Sequence, residues 1–216
     1  DARGVWGTLG LIRAEGGRPF DGGDVARARR LGPVLATFLR RYVTGGPLVA
    51  RTPSPPPGVL ILGPDHAIRA VTPAVPAWDR HLTTRQRAPR WIALSFFAGL
   101  SALARTPAAT PRVVGPAAAY GRWFSCHAEL LDDGSGDVAI VVRTPTAVEL
   151  LPSLSSWYGI TARESEVVGH LLDGAAPKHV ARRLDLSVHT VNDHLKSIFR
   201  KTGARGRDEL IAAFNG

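Results

Sequence analysis

The stretch from Thr161 to Phe214 constrains this chain more than any other, because it carries a dense series of helix start, stop and periodicity signals. Thr161 followed three residues later by Glu164 is a capping box, in which each side chain satisfies a backbone donor of the first turn. Val167, Val168, Leu171 and Leu172 repeat at helical spacing as the buried face of a first helix, and Gly174 supplies the left-handed position that ends it. Pro177 suits the first position of a short second helix, where its missing donor costs nothing, with Val180, Ala181 and Leu184 turned inward. Ala181 is small enough to let the next helix cross closely. Asp185 and Leu186 make a tight turn and Ser187 caps a third helix. Gly203 ends that helix, and Asp208 to Phe214 forms a fourth, with Asp208 and Glu209 at its positive end.

The third helix has two faces. Val188, Val191, Leu195, Ile198 and Phe199 form one apolar seam, while His189, Asn192, Asp193, Lys196 and Arg200 share the opposite side. An exposed face of this kind suits the edges of base pairs: Asn can pair with adenine, Lys with guanine, and Asp can accept from cytosine. The plain alternative is a solvated surface, and the complete four-helix pattern around it favours the recognition helix.

From TARE through GAAPKHVARRLDLSVHTVNDHLKSIFRKTGARGRDEL the segment resembles the LuxR-type DNA-binding domain. That resemblance implies double-stranded DNA as the partner, base contacts from Asn192, Asp193 and Lys196, and phosphate contacts from Lys178, Thr190, His194 and Arg200 or Lys201. It also implies homodimers pairing through the last helix, each copy reading half of a two-fold site. Asp193 stands where some members carry Val or Lys, so its negative charge keeps the sequence preference from being inherited.

Upstream, residues 4–13 (GVWGTLGLIR) read as a strand and Asp24 to Tyr42 as a helix. Val25, Ala28, Leu31, Leu35, Phe38 and Leu39 are expected to form its buried stripe, with Pro33 kinking it or marking its first turn. One strand and one helix cannot enclose a core, so the beginning of that domain is expected to be missing. Residues 44–58 (TGGPLVARTPSPPPG) read as a linker. Val59 to Leu62 and Ala67 to Val71 form a hairpin around Gly-Pro-Asp-His, followed by helical stretches at Ala74 to Leu82 and Arg90 to Ala104. Val113 and Val114 begin another strand, and Tyr120 to Leu131 with Asp137 to Arg143 form a hairpin around DDGSG. This order predicts an antiparallel sheet with helices on one face.

GVLILGPDHAIRAV and GRWFSCHAELL resemble a PAS core, and WGTLGLIR with RPFDGGDVARARRL resembles the closing strand and helix of a GAF domain. Both families sense small molecules or mediate protein contacts. The fold class expected is α+β: an antiparallel PAS-like sheet with helices, then an all-α four-helix domain. The boundaries are a GAF-like fragment over 1–43, a linker over 44–58, a PAS-like domain over 59–149, a connecting helix over 150–160 and the LuxR-like module over 161–216. The join VRTPTAVELLPSLSSWYGITARE looks like regulators in which a PAS-like sensor runs straight into the DNA module.

The chain of 216 residues has a formal charge of +9, which favours a polyanionic partner. The distribution tempers that argument, since residues 161–216 hold nine Lys or Arg against seven Asp or Glu. No apolar run reaches membrane-span length and no export signal opens the chain, so a cytoplasmic protein without membrane contact is expected. The lack of methionine and the start at Asp1 predict a piece of a longer or processed chain. Cys126 is the single cysteine, which leaves no disulfide and no thiolate-rich metal site, and no cofactor fingerprint is present. Cys126 and His127, adjacent on a strand, point to opposite faces and suggest no joint chemistry. Trp123 and Phe124 are expected to split between core and surface, and Trp78 and Trp91 to be core. The Arg-rich stretch Arg80 to Arg90 reads as an exposed loop.

No catalytic constellation stands out, which argues against an enzyme. The function expected is a sequence-specific transcription regulator with a signal- or partner-receiving N-terminal region, whose ligand is unknown. The alternative is an interaction module that docks on RNA polymerase or another regulator without touching DNA.

Overall fold

A computed structural model describes residues 16–46, 48–49, 53–83, 90–106 and 111–214, the side chains of 81–83 and 90–92 excepted. The elements run α1 (Gly22–Thr44), β1 (Gly58–Leu62), β2 (Ile68–Val71), α2 (Val75–Thr83), α3 (Arg90–Ala104), β3 (Arg112–Gly115), α4 (Ala117–Tyr120), β4 (Phe124–Leu130), β5 (Val138–Arg143), α5 (Ala147–Tyr158), α6 (Ala162–Leu172), α7 (Pro177–Arg183), α8 (Val188–Thr202) and α9 (Arg207–Phe214). The predicted strand over 4–13, most of the Arg-rich stretch and the Trp91 side chain lie outside the described residues.

The five strands form one antiparallel sheet in the order β2-β1-β5-β4-β3. Alternation sets its inner face: Leu60 and Leu62 of β1, Phe124, Cys126 and Ala128 of β4, and Val138, Ile140 and Val142 of β5 are buried. They pack with Trp78 of α2 and Ala93, Phe97 and Leu100 of α3, which places helices over one face as the sequence predicts. Both hairpins fall where turn chemistry puts them. In the first, the amide of His66 donates to the Gly63 carbonyl at 2.9 Å; in the second, Asp133 accepts from the Ser135 amide at 2.9 Å, with Gly134 and Gly136 at positive φ. Arg105, just past α3, ties these ends together by donating to the carbonyls of Gly63 (2.6 Å) and Gly136 (3.1 Å).

A second core is shared between the sheet region and the C-terminal helices. Leu150, Leu154, Trp157 and Tyr158 of α5 share one core with Val43, Leu48, Ala117 and Trp123 and with the C-terminal helices, of which α6 and α9 lie against α5. Trp123 stacks on Trp157 with ring centroids 5.1 Å apart and planes 13° from parallel. Its indole N–H donates to the Leu48 carbonyl at 3.1 Å.

Several expectations change. Trp123 and Phe124 do not divide between core and surface; both are buried in different cores, Phe124 beneath α3 at the start of β4 and Trp123, just before the strand, against Trp157 of α5. Phe124 lies over Gly115 of β3, where any Cβ would meet its ring. The strand expected from Tyr120 begins at Phe124, after the short helix α4. Within the expected linker, Leu48 is buried and the Trp78 indole donates to the Pro56 carbonyl at 2.7 Å. Pro33 lies inside α1 and does not mark its first turn. The stripe expected to be buried on α1 faces outward: Val25, Leu31, Phe38 and Leu39 are exposed, because only the helix's C-terminal end is seated on the rest of the protein.

Candidate nucleic-acid interface

The C-terminal domain is built from local signals that hold in three dimensions. Thr161 accepts from the Glu164 amide at 3.3 Å, and Glu164 accepts from the Thr161 amide at 2.7 Å. At the far end of α6, Gly174 (φ 80°) lets the Ala175 amide reach back to the His170 carbonyl at 3.0 Å. Pro177 takes the first turn of α7. The turn to α8 repeats the device with a non-glycine residue: Asp185 adopts φ 52°, and the Leu186 amide closes on the Ala181 carbonyl at 2.8 Å. Ser187 then caps α8 by accepting from the Thr190 amide at 3.0 Å.

Val180 and Ala181 of α7 are buried against Val191, Leu195 and Ile198 of α8, so the two helices cross over a shared apolar contact. Val188, expected in the apolar seam, is instead 43% exposed, because it lies in the first turn of α8, ahead of the crossing. Gly203 (φ 74°) ends α8, and α9 folds back to bury Leu210, Ala213 and Phe214.

The opposite side of α8 is open. His189, Asn192, Asp193, Lys196 and Arg200 are all exposed, and among the described residues nothing covers Asn192, Asp193 or Lys196. Asp193 sits between two side chains of its own helix: its carboxylate is 3.3 Å from His189 Nε2 and 3.2 Å from Lys196 Nζ. With side-chain exposures of 53% for Asp193 and 74% for Lys196, these contacts are water-screened and easily exchanged for others.

The residues expected to meet phosphates differ in availability. Lys178 on α7 and Arg200 on α8 are exposed. Thr190 and His194 are half-buried, the Thr190 hydroxyl lying 2.8 Å from the Ser187 hydroxyl. Lys201 is engaged inward, donating to Glu164 Oε2 at 2.5 Å.

That ion pair is the feature the sequence did not signal. Glu164 is buried, and burial alone would raise its pKa; Lys201, the Thr161 amide and the Ser197 hydroxyl outweigh it and hold the carboxyl at about 2. The N-terminal turn of α6 is thereby tied to the last turn of α8. Two arginines brace the rest: Arg163 donates to the Leu184 carbonyl at 2.6 Å, beside the helix-turn-helix turn, and Arg207 to the Ala175 carbonyl at 3.3 Å, beside the α6–α7 turn. No local spacing signals contacts of this length.

A compact three-helix crossing with a braced, outward-facing third helix defines a helix-turn-helix domain. Residues 159–214 match the family model described as bacterial regulatory proteins, luxR family. Over 53 residues the chain is 47% identical to the monoamine regulon transcriptional regulator of Klebsiella aerogenes, which covers 24% of this chain and 23% of that protein. The chain therefore spans about a quarter of the length of the curated relative it matches. Among solved structures it is similar to a VqmA–ligand–DNA complex of Vibrio cholera (TM-score 0.29, 20% identity, covering 73% of this chain and 80% of that one). It is also similar to SdiA of Escherichia coli (TM-score 0.26, 14% identity, covering 91% and 90%).

Proposed function

We propose that this protein is a sequence-specific double-stranded DNA-binding transcription regulator that works in the cytoplasm. The observation that carries the reading is the exposed polar face of α8, held out by a buried seam in a domain that matches the luxR family. In this reading α8 enters the major groove and Asn192, Asp193 and Lys196 meet base edges. Lys178, Thr190, His194 and Arg200 hold phosphates. Of the Arg200 and Lys201 alternative, Arg200 takes that role, since Lys201 is committed to Glu164. Two copies read a two-fold site. The name of the Klebsiella relative, a transcriptional regulator, supports the same reading.

The region before Gly159 is proposed as the input module. Its five-stranded antiparallel sheet with helices on one face supports a PAS-like domain over 59–149, and α1 supports the GAF-like fragment over 1–43. Residues 150–160 connect this module to the DNA-reading domain.

Selection of bound duplexes from a random pool by the purified chain tests the reading. An enriched two-fold motif is expected, with affinity that falls steeply as salt rises because phosphate contacts displace condensed cations. Replacing both Asn192 and Lys196 by alanine should flatten the motif at their base positions, at about 1 to 3 kcal/mol for each lost pairing. Capture of RNA polymerase with no duplex binding at low salt would replace this reading with that of a docking module.

A further inference from the structure

We infer that His189 makes DNA reading by α8 proton-dependent, so that this chain binds its duplex more tightly at mildly acid than at mildly alkaline pH. The inference rests on the DNA-binding reading and adds a regulation of that same face. His189 lies in the first turn of α8, one turn ahead of Asn192 and Asp193, and its side chain is 84% exposed. The N-terminal residues of a recognition helix are the ones that reach base edges.

The charge of this row is what makes one proton count. Asn192 is neutral, and Asp193 and Lys196 cancel, so the row has no net charge while His189 is neutral and +1 once it is protonated. The whole segment 161–216 holds nine Lys or Arg against seven Asp or Glu, a net of +2, so a single proton is a large fractional change. A duplex carries one negative charge per about 1.7 Å of its axis, and beside it the charged form of the ring is favoured.

The chemistry of the ring points the same way. His189 Nε2 lies 3.3 Å from Asp193 Oδ2, and Lys196 Nζ lies 3.2 Å from the other carboxylate oxygen, Oδ1. A neutral imidazole has one N–H; when Nε2 donates it to Asp193, Nδ1 is left with a lone pair. Guanine N7 and O6 and the phosphate oxygens are themselves acceptors, to which a lone pair offers nothing. An imidazolium keeps Nε2–H on Asp193 and donates from Nδ1–H as well. One proton therefore offsets the charge of Asp193 and supplies a donor to the DNA.

Among the described residues, the ionisable group against His189 is Asp193. The helices packed on α8 are α6 and α7. On α6, Glu164 is held by Lys201, Arg163 lies against Glu166, and His170 is 3.5 Å from Arg183 of α7. Lys178, His179 and Arg182 of α7 and Asp185 of the turn complete the charged and titratable groups on that side. His179 and His194 are the other imidazoles of α7 and α8, and the test separates them from His189.

The test measures the affinity of the full chain by fluorescence anisotropy at pH 6 and pH 8, on the duplex most enriched in the random-pool selection. Imidazole is the side chain whose ordinary titration falls between these limits. The wild type should bind about fivefold more tightly at pH 6, with a salt dependence steeper by about one released cation. His189→Gln should be flat with pH and as weak as the wild type at pH 8. His189→Lys, whose charge is permanent, should be flat and as tight as the wild type at pH 6. The side chain is too exposed for either change to disturb the core. A merely structural part for His189 predicts weaker binding by both variants with the pH profile intact, and that result overturns the inference. So does a pH dependence that survives in His189→Gln, which would move the effect to His179 or His194. Duplex binding by the wild type that is flat with pH removes this inference alone, whereas no duplex binding at either pH removes the DNA-binding reading and this inference with it.

Discussion

At the scale of single residues, the central tension is between exposure for reading and burial for holding. Asn192 and Lys196 are exposed, and the carboxylate of Asp193 lies between the side chains of His189 and Lys196. Glu164 is the reverse case, an acid buried and matched by Lys201. Its carboxyl titrates at about 2 in the fold against about 4.3 in an unfolded chain. A depressed folded pKa contributes stability above the unfolded value and loses it as pH falls toward the folded one. The contribution is thus present at neutral pH and fades between pH 4.5 and 2. Lys201→Met should destabilise the domain by about 3 kcal/mol at pH 7, leaving a buried carboxylate without its cation. The gap from wild type should close as pH falls through that window, which urea denaturation at a series of pH values would show. An undiminished gap at pH 2 would remove the ion pair from the explanation.

At the scale of elements, α8 depends on how its first turn is held. Ser187 accepts from the Thr190 amide and lies beside its hydroxyl, satisfying donors that α8 would otherwise present to water. Ser187→Ala should cost about 1 kcal/mol and speed hydrogen exchange at the Thr190 amide about fivefold, measured by NMR. Unchanged exchange there would show that the cap does not hold the turn. Strand register is fixed in a comparable way: β5 pairs with β4 over its whole length and with β1 from Val138 to Val142, with Val138, Ile140 and Val142 all on the buried face. A one-residue slip would turn all three to the other face.

At the scale of the whole molecule, α5 joins what would otherwise be two bodies. The Trp123–Trp157 stack and the shared core around Leu150 and Leu154 connect the sheet region to the helix-turn-helix domain without a flexible join. Calorimetry of the wild type should show one transition. Trp157→Ala, which removes a large buried ring, should cost about 3 to 5 kcal/mol and split the melt in two, with the C-terminal domain unfolding separately. A single, unshifted transition would rule out the shared core as the coupling.

The C-terminal helices, their caps and the outward face of α8 were legible in the amino-acid order because each signal acts within about one helical turn: Thr161 on Glu164, Ser187 on Thr190, Gly174 on the turn before it. The strand pattern was legible for the same reason, since alternation is a property of neighbours. What only the tertiary structure decided are outcomes of distant partners. Lys201 turns inward because Glu164, 37 positions away, is buried beside it. Trp123 enters one core and Phe124 another because Trp157 of α5 packs on the first and α3 lies over the second. The apolar stripe of α1 stays exposed because hydrophobic spacing states that a face wants cover, but not whether its own chain or a second one supplies it.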